Sequence, residues 1–267
     1  MEVIIAEHSG FCMGVKRAVD TAKEVYGADV GILGEIIHND NVVNEIKALG
    51  TQTVESLDEF NGNTIIIRSH GVGKAIFADA EKRGLKVINR TCPFVMKTQK
   101  IVEEYSWKGY RVVVTGEKSH PEVLGLIGWC KDEKADVVDD DYKDLTFDVD
   151  DKVCLVSQTT YSNEKFQKIL AFFKKKHVKT LEVFSTICYT TRERQKEAET
   201  LSRVCDAMIV IGGKNSSNTR KLADVCSKNC DNVFFVSDID VLDYKKLVKF
   251  KKVGIVAGAS TPIEQSM

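Results

Sequence analysis

The chain has 267 residues, 43% of them hydrophobic and 29% charged, and a formal net charge of −1. This is the balance of an ordinary soluble globular protein built as one large domain or two to three smaller units. It excludes a broad basic field for nucleic acid or an anionic membrane, so any bound anion needs a local site.

No apolar run approaches the ~20 residues needed to span a bilayer. Met1 to His8 carry neither the basic leader nor the long apolar core of a secretion signal, and the expected compartment is the cytoplasm. Three prolines and eighteen glycines leave no composition for a disordered linker. Eight cysteines need a reason in a reducing compartment, where metal binding or chemistry is a better expectation than structural disulfides. There is no CxxC pair, and Cys226 and Cys230 lack companions at zinc-finger spacing.

In chain order, three segments repeat one grammar of apolar strand, cysteine and amphipathic helix. The first runs Val3-Ile4-Ile5-Ala6 to Cys12, then a helix with Val15, Ala18, Val19, Ala22 and Val25 on one face. The second runs Lys86-Val87-Ile88 to Cys92, then Val95, Thr98, Ile101, Val102 and Tyr105. The third runs Leu181-Glu182-Val183-Phe184 to Cys188, then a charged helix with Ala198, Leu201 and Val204.

A second strand and polar loop follow each cysteine: Gly34 to Asn39, Gly116 to Glu122, and Gly212 to Asn218. His38, His120 and Ser216 stand 26, 28 and 28 residues after their cysteines. A third strand and loop complete each set: Ile65 to Gly71, Val153 to Thr160, and Gly254 to Ser260. Alternating strands and helices predict mostly parallel sheets, with ligands beyond the carboxyl ends of the strands where these nine loops lie. The expected architecture is α/β. Three pseudo-three-fold-related units, 13–91, 92–187 and 188–267, surround a central cavity, with residues 1–12 a strand that packs with the third unit.

A lone cysteine is most simply a buried small hydrophobe, and this describes Cys130, Cys154, Cys205, Cys226 and Cys230. Cys12, Cys92 and Cys188 share one register ahead of a helix, where the dipole favours a metal-binding thiolate. Three thiolates leave an open coordination position. Zinc with a water fits such a site, but all-thiolate ligation favours an iron–sulfur cluster with one free iron. Around it His38, His70, His120, Ser216, Ser217, Asn218, Ser260 and Thr159 supply hydroxyls, amides and imidazoles at helix starts, the makings of a phosphate site. His8 and His177 lie outside these loops, and His177 among lysines reads as solvated surface. Gly71-Val72-Gly73-Lys74 lacks the third glycine of a dinucleotide motif and reads as a tight turn, and no GxxxxGK[ST] is present. Glu122 reads either as a surface or capping acid or as a proton donor kept protonated beside a bound diphosphate, with Thr159 orienting it or relaying the proton.

Nine motifs in order resemble the 4-hydroxy-3-methylbut-2-enyl diphosphate reductase family of the methylerythritol phosphate route to isoprenoids. They are Gly10-Phe11-Cys12-Met13-Gly14-Val15, Ile37-His38-Asn39, Ser69-His70-Gly71-Val72, Thr91-Cys92-Pro93, His120-Pro121-Glu122, Gln158-Thr159-Thr160, Ile187-Cys188-Tyr189-Thr190-Thr191-Arg192, Lys214 to Thr219, and Gly258 to Pro262. The resemblance implies a [4Fe–4S] cluster on Cys12, Cys92 and Cys188, with the substrate hydroxyl at the unique iron. It implies diphosphate contacts from His38, His70, His120, Ser216, Ser217, Asn218 and Ser260, and a catalytic set of Glu122, Thr159 and His120. Two electrons from a ferredoxin or flavodoxin, with two protons, would remove the hydroxyl as water and leave isopentenyl or dimethylallyl diphosphate. No nucleic acid or membrane partner is expected for this segment, and the oligomeric expectation is a monomer or homodimer. Family members usually continue with a helix after the loop at Ser260-Thr261-Pro262, and some carry an appended RNA-binding region, whereas five residues remain here. A cluster-dependent dehydratase and an iron–sulfur redox sensor are the competing readings.

Overall fold

The computed structural model describes residues 1–176 and 178–262. His177, read as solvated surface, and the five residues after Pro262 lie outside the described residues. Each sheet is built around strands with an unbroken buried apolar run. In β4 (Thr64–Ile67), Ile65, Ile66 and Ile67 are fully buried, each contributing roughly 1.5–3 kcal/mol. β6 (Arg111–Thr115), β8 (Lys152–Ser157), β10 (Ala207–Ile211) and β12 (Lys252–Ala257) follow the same rule, as parallel strands covered on both faces must.

All strand pairings among the described residues are parallel. β2 (Val30–Leu33) and β4 form the middle of one sheet, between β3 (Gln52–Val54) and β5 (Lys86–Asn89), in the order β3-β2-β4-β5. The second sheet runs β7-β6-β8-β9, with β7 at Asp136–Val138 and β9 at Thr180–Val183. The third runs β11-β10-β12-β1, with β1 at Glu2–Ile5 and β11 at Val233–Val236. One strand order therefore serves all three. In each, the strand leading to a cysteine occupies one edge, and a short strand absent from the sequence reading occupies the other.

The helix after each cysteine begins where expected: α1 (Met13–Glu24), α4 (Pro93–Trp107) and α7 (Tyr189–Ser202). The remaining helices follow the second and third strands: α2 (Asp40–Ala48), α3 (Lys74–Lys82), α5 (Pro121–Ile127), α6 (Asn163–Phe173) and α8 (Ser217–Ser227). Two apolar readings shift. Val25 lies just past the end of α1, and Val204 is exposed in the turn after α7. The buried face of α7 is instead Thr191, Arg194, Gln195, Ala198 and Ser202, a mostly polar stripe.

By compactness the chain divides into two units. One comprises Met1–Val19, Ile37–Glu45 and Cys188–Met267 and carries the sheet with β1; the other comprises Asp20–Ile36 and Ile46–Ile187 and carries the other two sheets. Among the described residues no helix is long and apolar enough to cross a membrane.

Candidate active site

Three of the eight free cysteines differ from the rest. Cys130, Cys154, Cys205, Cys226 and Cys230 are buried in apolar surroundings, and burial pushes the thiols of Cys130, Cys154 and Cys226 up to about 12. Cys12, Cys92 and Cys188 are only half-buried. Each stands at a helix start by the same backbone device. Its carbonyl accepts the first helical bond, from Lys16 N at 2.8 Å, Met96 N at 2.9 Å and Arg192 N at 3.1 Å respectively. Accessible thiols at positive helix ends suit anionic sulfur ligands, and inert buried ones do not.

In the unit with β1, Cys12 and Cys188 share a close neighbour in the buried Arg194, whose charge both sulfurs influence. The same unit holds His38, Ser216, Ser217, Asn218 and Ser260. Ser216 caps α8, its hydroxyl accepting from Thr219 N at 3.3 Å, and Ser260 Oγ donates to it at 3.4 Å. Asn39 Nδ2 donates to Ser260 O at 3.1 Å, tying the His38 loop to the Ser260 loop. A methyl group on Gly213 would stand 2.3 Å from the His38 carbonyl oxygen, so the two loops approach as closely as glycine allows. Asn218 is 4% exposed, yet neither its Oδ1 nor its Nδ2 has a hydrogen-bond partner among the described residues. A buried amide left in this way costs about 1–3 kcal/mol per group, a cost that suits a residue awaiting a ligand.

The other unit holds Cys92, His70, His120, Glu122 and Thr159. His120 caps α5, its Nδ1 accepting from Glu122 N at 3.1 Å, which places the proton of the neutral ring on Nε2. The rings of His70 and His120 meet edge to face at 5.4 Å. Glu122 is buried, which settles its two sequence readings against a surface acid. Its Oε1 accepts from Thr159 N at 2.6 Å and its Oε2 from Thr159 Oγ at 2.7 Å. Burial raises its pKa to about 7 against the opposing pull of the two Thr159 bonds. The shift thus exists without any diphosphate, the cause the sequence reading invoked. A backbone N–H can only donate, so the acid proton belongs on Oε2, where the Thr159 hydroxyl can reverse direction to accept it. Gln158 holds this arrangement: its Oε1 accepts from Glu117 N at 3.1 Å and its Nε2 donates to Thr160 Oγ at 2.9 Å. Gly71, at φ +73°, makes the tight turn expected there, packed against Gln99 and Thr91.

Sequence reasoning passed over Gln158, Asn39, Gly213 and Arg194 as site residues. Asn39 and Gln158 stand inside motifs that already carry a site residue, whereas Arg194 left no signal, because its burial follows only from the packing of α7.

An all-parallel α/β frame with half-buried thiols at helix starts, and in one of its units a buried acid with a pKa of about 7, has the parts of a metal-thiolate enzyme. A model of the LytB protein family matches residues 3–266, and the chain belongs to that family. A protein of Caldanaerobacter subterraneus subsp. tengcongensis named 4-hydroxy-3-methylbut-2-enyl diphosphate reductase is 45% identical over 269 residues, spanning 98% of this chain and 93% of its own. A Clostridium acetobutylicum protein of the same name is 42% identical, and there the match spans 98% of this chain but 41% of the relative. Among solved structures, the E-1-hydroxy-2-methyl-but-2-enyl-4-diphosphate reductase of Plasmodium falciparum is 28% identical with a TM-score of 0.91, over 99% of this chain and 85% of that one. Family membership implies an iron–sulfur cofactor, and half-buried thiols at helix starts are donors of the kind that fits one.

Proposed function

We propose that this chain converts (E)-4-hydroxy-3-methylbut-2-enyl diphosphate to isopentenyl and dimethylallyl diphosphate, consuming two electrons and two protons and releasing the hydroxyl as water. The observation that carries the reading is the Glu122–Thr159 pair, a buried acid with a pKa of about 7 whose proton has one defined exit through a hydroxyl. Such a group delivers protons near neutral pH, and a reductive loss of hydroxide needs them.

The proposed cofactor is one [4Fe–4S] cluster ligated by Cys12, Cys92 and Cys188. When bound, it supplies the electrons and a Lewis-acidic iron for C–O cleavage. Zinc, the other occupant that thiolates favour, supplies no electrons. His38, His70, His120, Ser216, Ser217, Asn218 and Ser260 hold the diphosphate, with His120 donating from Nε2. Anchoring that tail fixes the position of the hydroxyl, a gain in orientation that raises kcat as well as affinity. Thr159 passes protons from Glu122. The proposed electron donor is a ferredoxin or flavodoxin, the working form a monomer or homodimer in the cytoplasm, and the architecture three units, 13–91, 92–187 and 188–267 with residues 1–12.

Anaerobic turnover of this substrate with and without a chemical reductant tests the reading. Both products are expected with reductant and none without. Full turnover without any electron source would point to a dehydratase, and absence of binding to short prenyl diphosphates would point to a redox sensor.

A further inference from the structure

The buried stripe of α7 contains a full positive charge where an apolar residue would pack at less cost. Arg194 is 7% exposed and lies among Thr191, Gln195, Ala198 and Ser202. A guanidinium does not lose its proton in a protein, so it must be compensated where it stands. Its Nη1 donates to Ala257 O at 3.0 Å, at the carboxyl end of β12, and its Nη2 donates to Gly10 O at 2.8 Å. Gly10 sits at φ +96°, in the turn that leads to Cys12. The third donor, Nε, is buried with no hydrogen-bond partner among the described residues. Two neutral carbonyls do not balance a desolvated cation. The opposing charges in reach are Cys12, Glu197 and Cys188, against the cost of burial. Glu197 is already engaged by Glu7 N, His8 N and the His8 ring.

We propose that Arg194 is a positioning residue of the iron–sulfur centre. From the helix that Cys188 caps, it clamps the turn carrying Cys12 to the end of β12, and its charge behind both sulfurs raises the potential at which the cluster accepts an electron. The proposal rests on the cluster reading above. Lysine could preserve the charge but not the planar fork that spans two carbonyls, whereas glutamine loses the charge. A cation near a cluster favours the reduced, more negative state, so its removal shifts the potential downward.

The test uses the full chain, anaerobically reconstituted with iron and sulfide and free of substrate. The readouts are the midpoint potential, by redox titration of the cluster's visible absorption, and the half-life of the cluster in a chelator. Arg194→Gln is expected to lower the ratio of reduced to oxidised cluster at fixed potential about tenfold, which is about 59 mV for a one-electron couple. Arg194→Lys is expected to keep the potential near wild type while shortening the half-life several-fold, because the clamp is lost and the charge is kept. If Arg194→Gln does not fold, Arg194→Lys decides alone: a wild-type half-life, or a reduced-to-oxidised ratio lowered tenfold at fixed potential, overturns the proposal. Wild-type values for both quantities in both variants overturn the role of Arg194 and leave the cluster reading standing. A wild-type chain that takes up no iron and sulfide overturns both.

Discussion

Glu122→Gln is expected to lower kcat by 10²- to 10⁴-fold while leaving the affinity for the allylic diphosphate within a few-fold of wild type. The substitution keeps the shape of the buried group and both of its contacts. The amide oxygen still accepts from Thr159 N and the amide nitrogen donates to Thr159 Oγ, so the loop that binds substrate has no reason to move. What disappears is the transferable proton. Wild-type activity should fall as pH rises through about 7, the value to which burial raises this carboxyl, because the acid form is then lost. In Glu122→Gln the residual rate should be flat across that range. Steady-state kinetics under anaerobic conditions, with binding measured separately by calorimetry, separates the two effects. Unchanged turnover, or a surviving alkaline limb, would remove Glu122 from the proton path.

Asn218→Asp is expected to reduce kcat/KM about a thousandfold. Aspartate has the same shape, but it sets a carboxylate where the proposed diphosphate docks, and a like-charge juxtaposition of this kind costs several kcal/mol. At 1.36 kcal/mol per factor of ten, about 4 kcal/mol accounts for the loss. Asn218→Leu provides the informative partner. It deletes two buried amide atoms that lack partners among the described residues, so the variant should be at least as stable to heat as wild type while binding substrate weakly. A side chain retained only for structure would behave in the opposite way, with stability lost and affinity kept. Thermal unfolding and calorimetry of both variants decide between these outcomes.

The parts of the molecule legible in the sequence are those governed by local rules. Parallel strands buried on both faces announce themselves as unbroken apolar runs, as in Ile65 to Ile67, and a cysteine before an amphipathic helix marks a helix start. The half-exposed Cys12, Cys92 and Cys188 were therefore separable from the five buried thiols by register alone. The short edge strands were not. Gln52-Thr53-Val54 and Asp136-Val137-Val138 are extended because a neighbouring strand pairs with them, and three residues carry too little periodicity to say so. Glu122 stayed ambiguous for a related reason: an acid two residues after a cap looks the same in sequence whether the fold covers it or not. Arg194 was overlooked because charge on a helix is ordinarily a sign of its solvent face, and only the packing of α7 reverses that expectation.

Iron and acid-labile sulfide, counted anaerobically per chain in wild type and in single serine variants, test the central claim most directly. About four of each are expected in wild type and a lost or labile cluster in Cys12→Ser, Cys92→Ser and Cys188→Ser alike, with Cys130→Ala keeping the full complement. A full complement in any one of the three serine variants, or zinc in place of iron and sulfide in the wild-type chain, would contradict that claim.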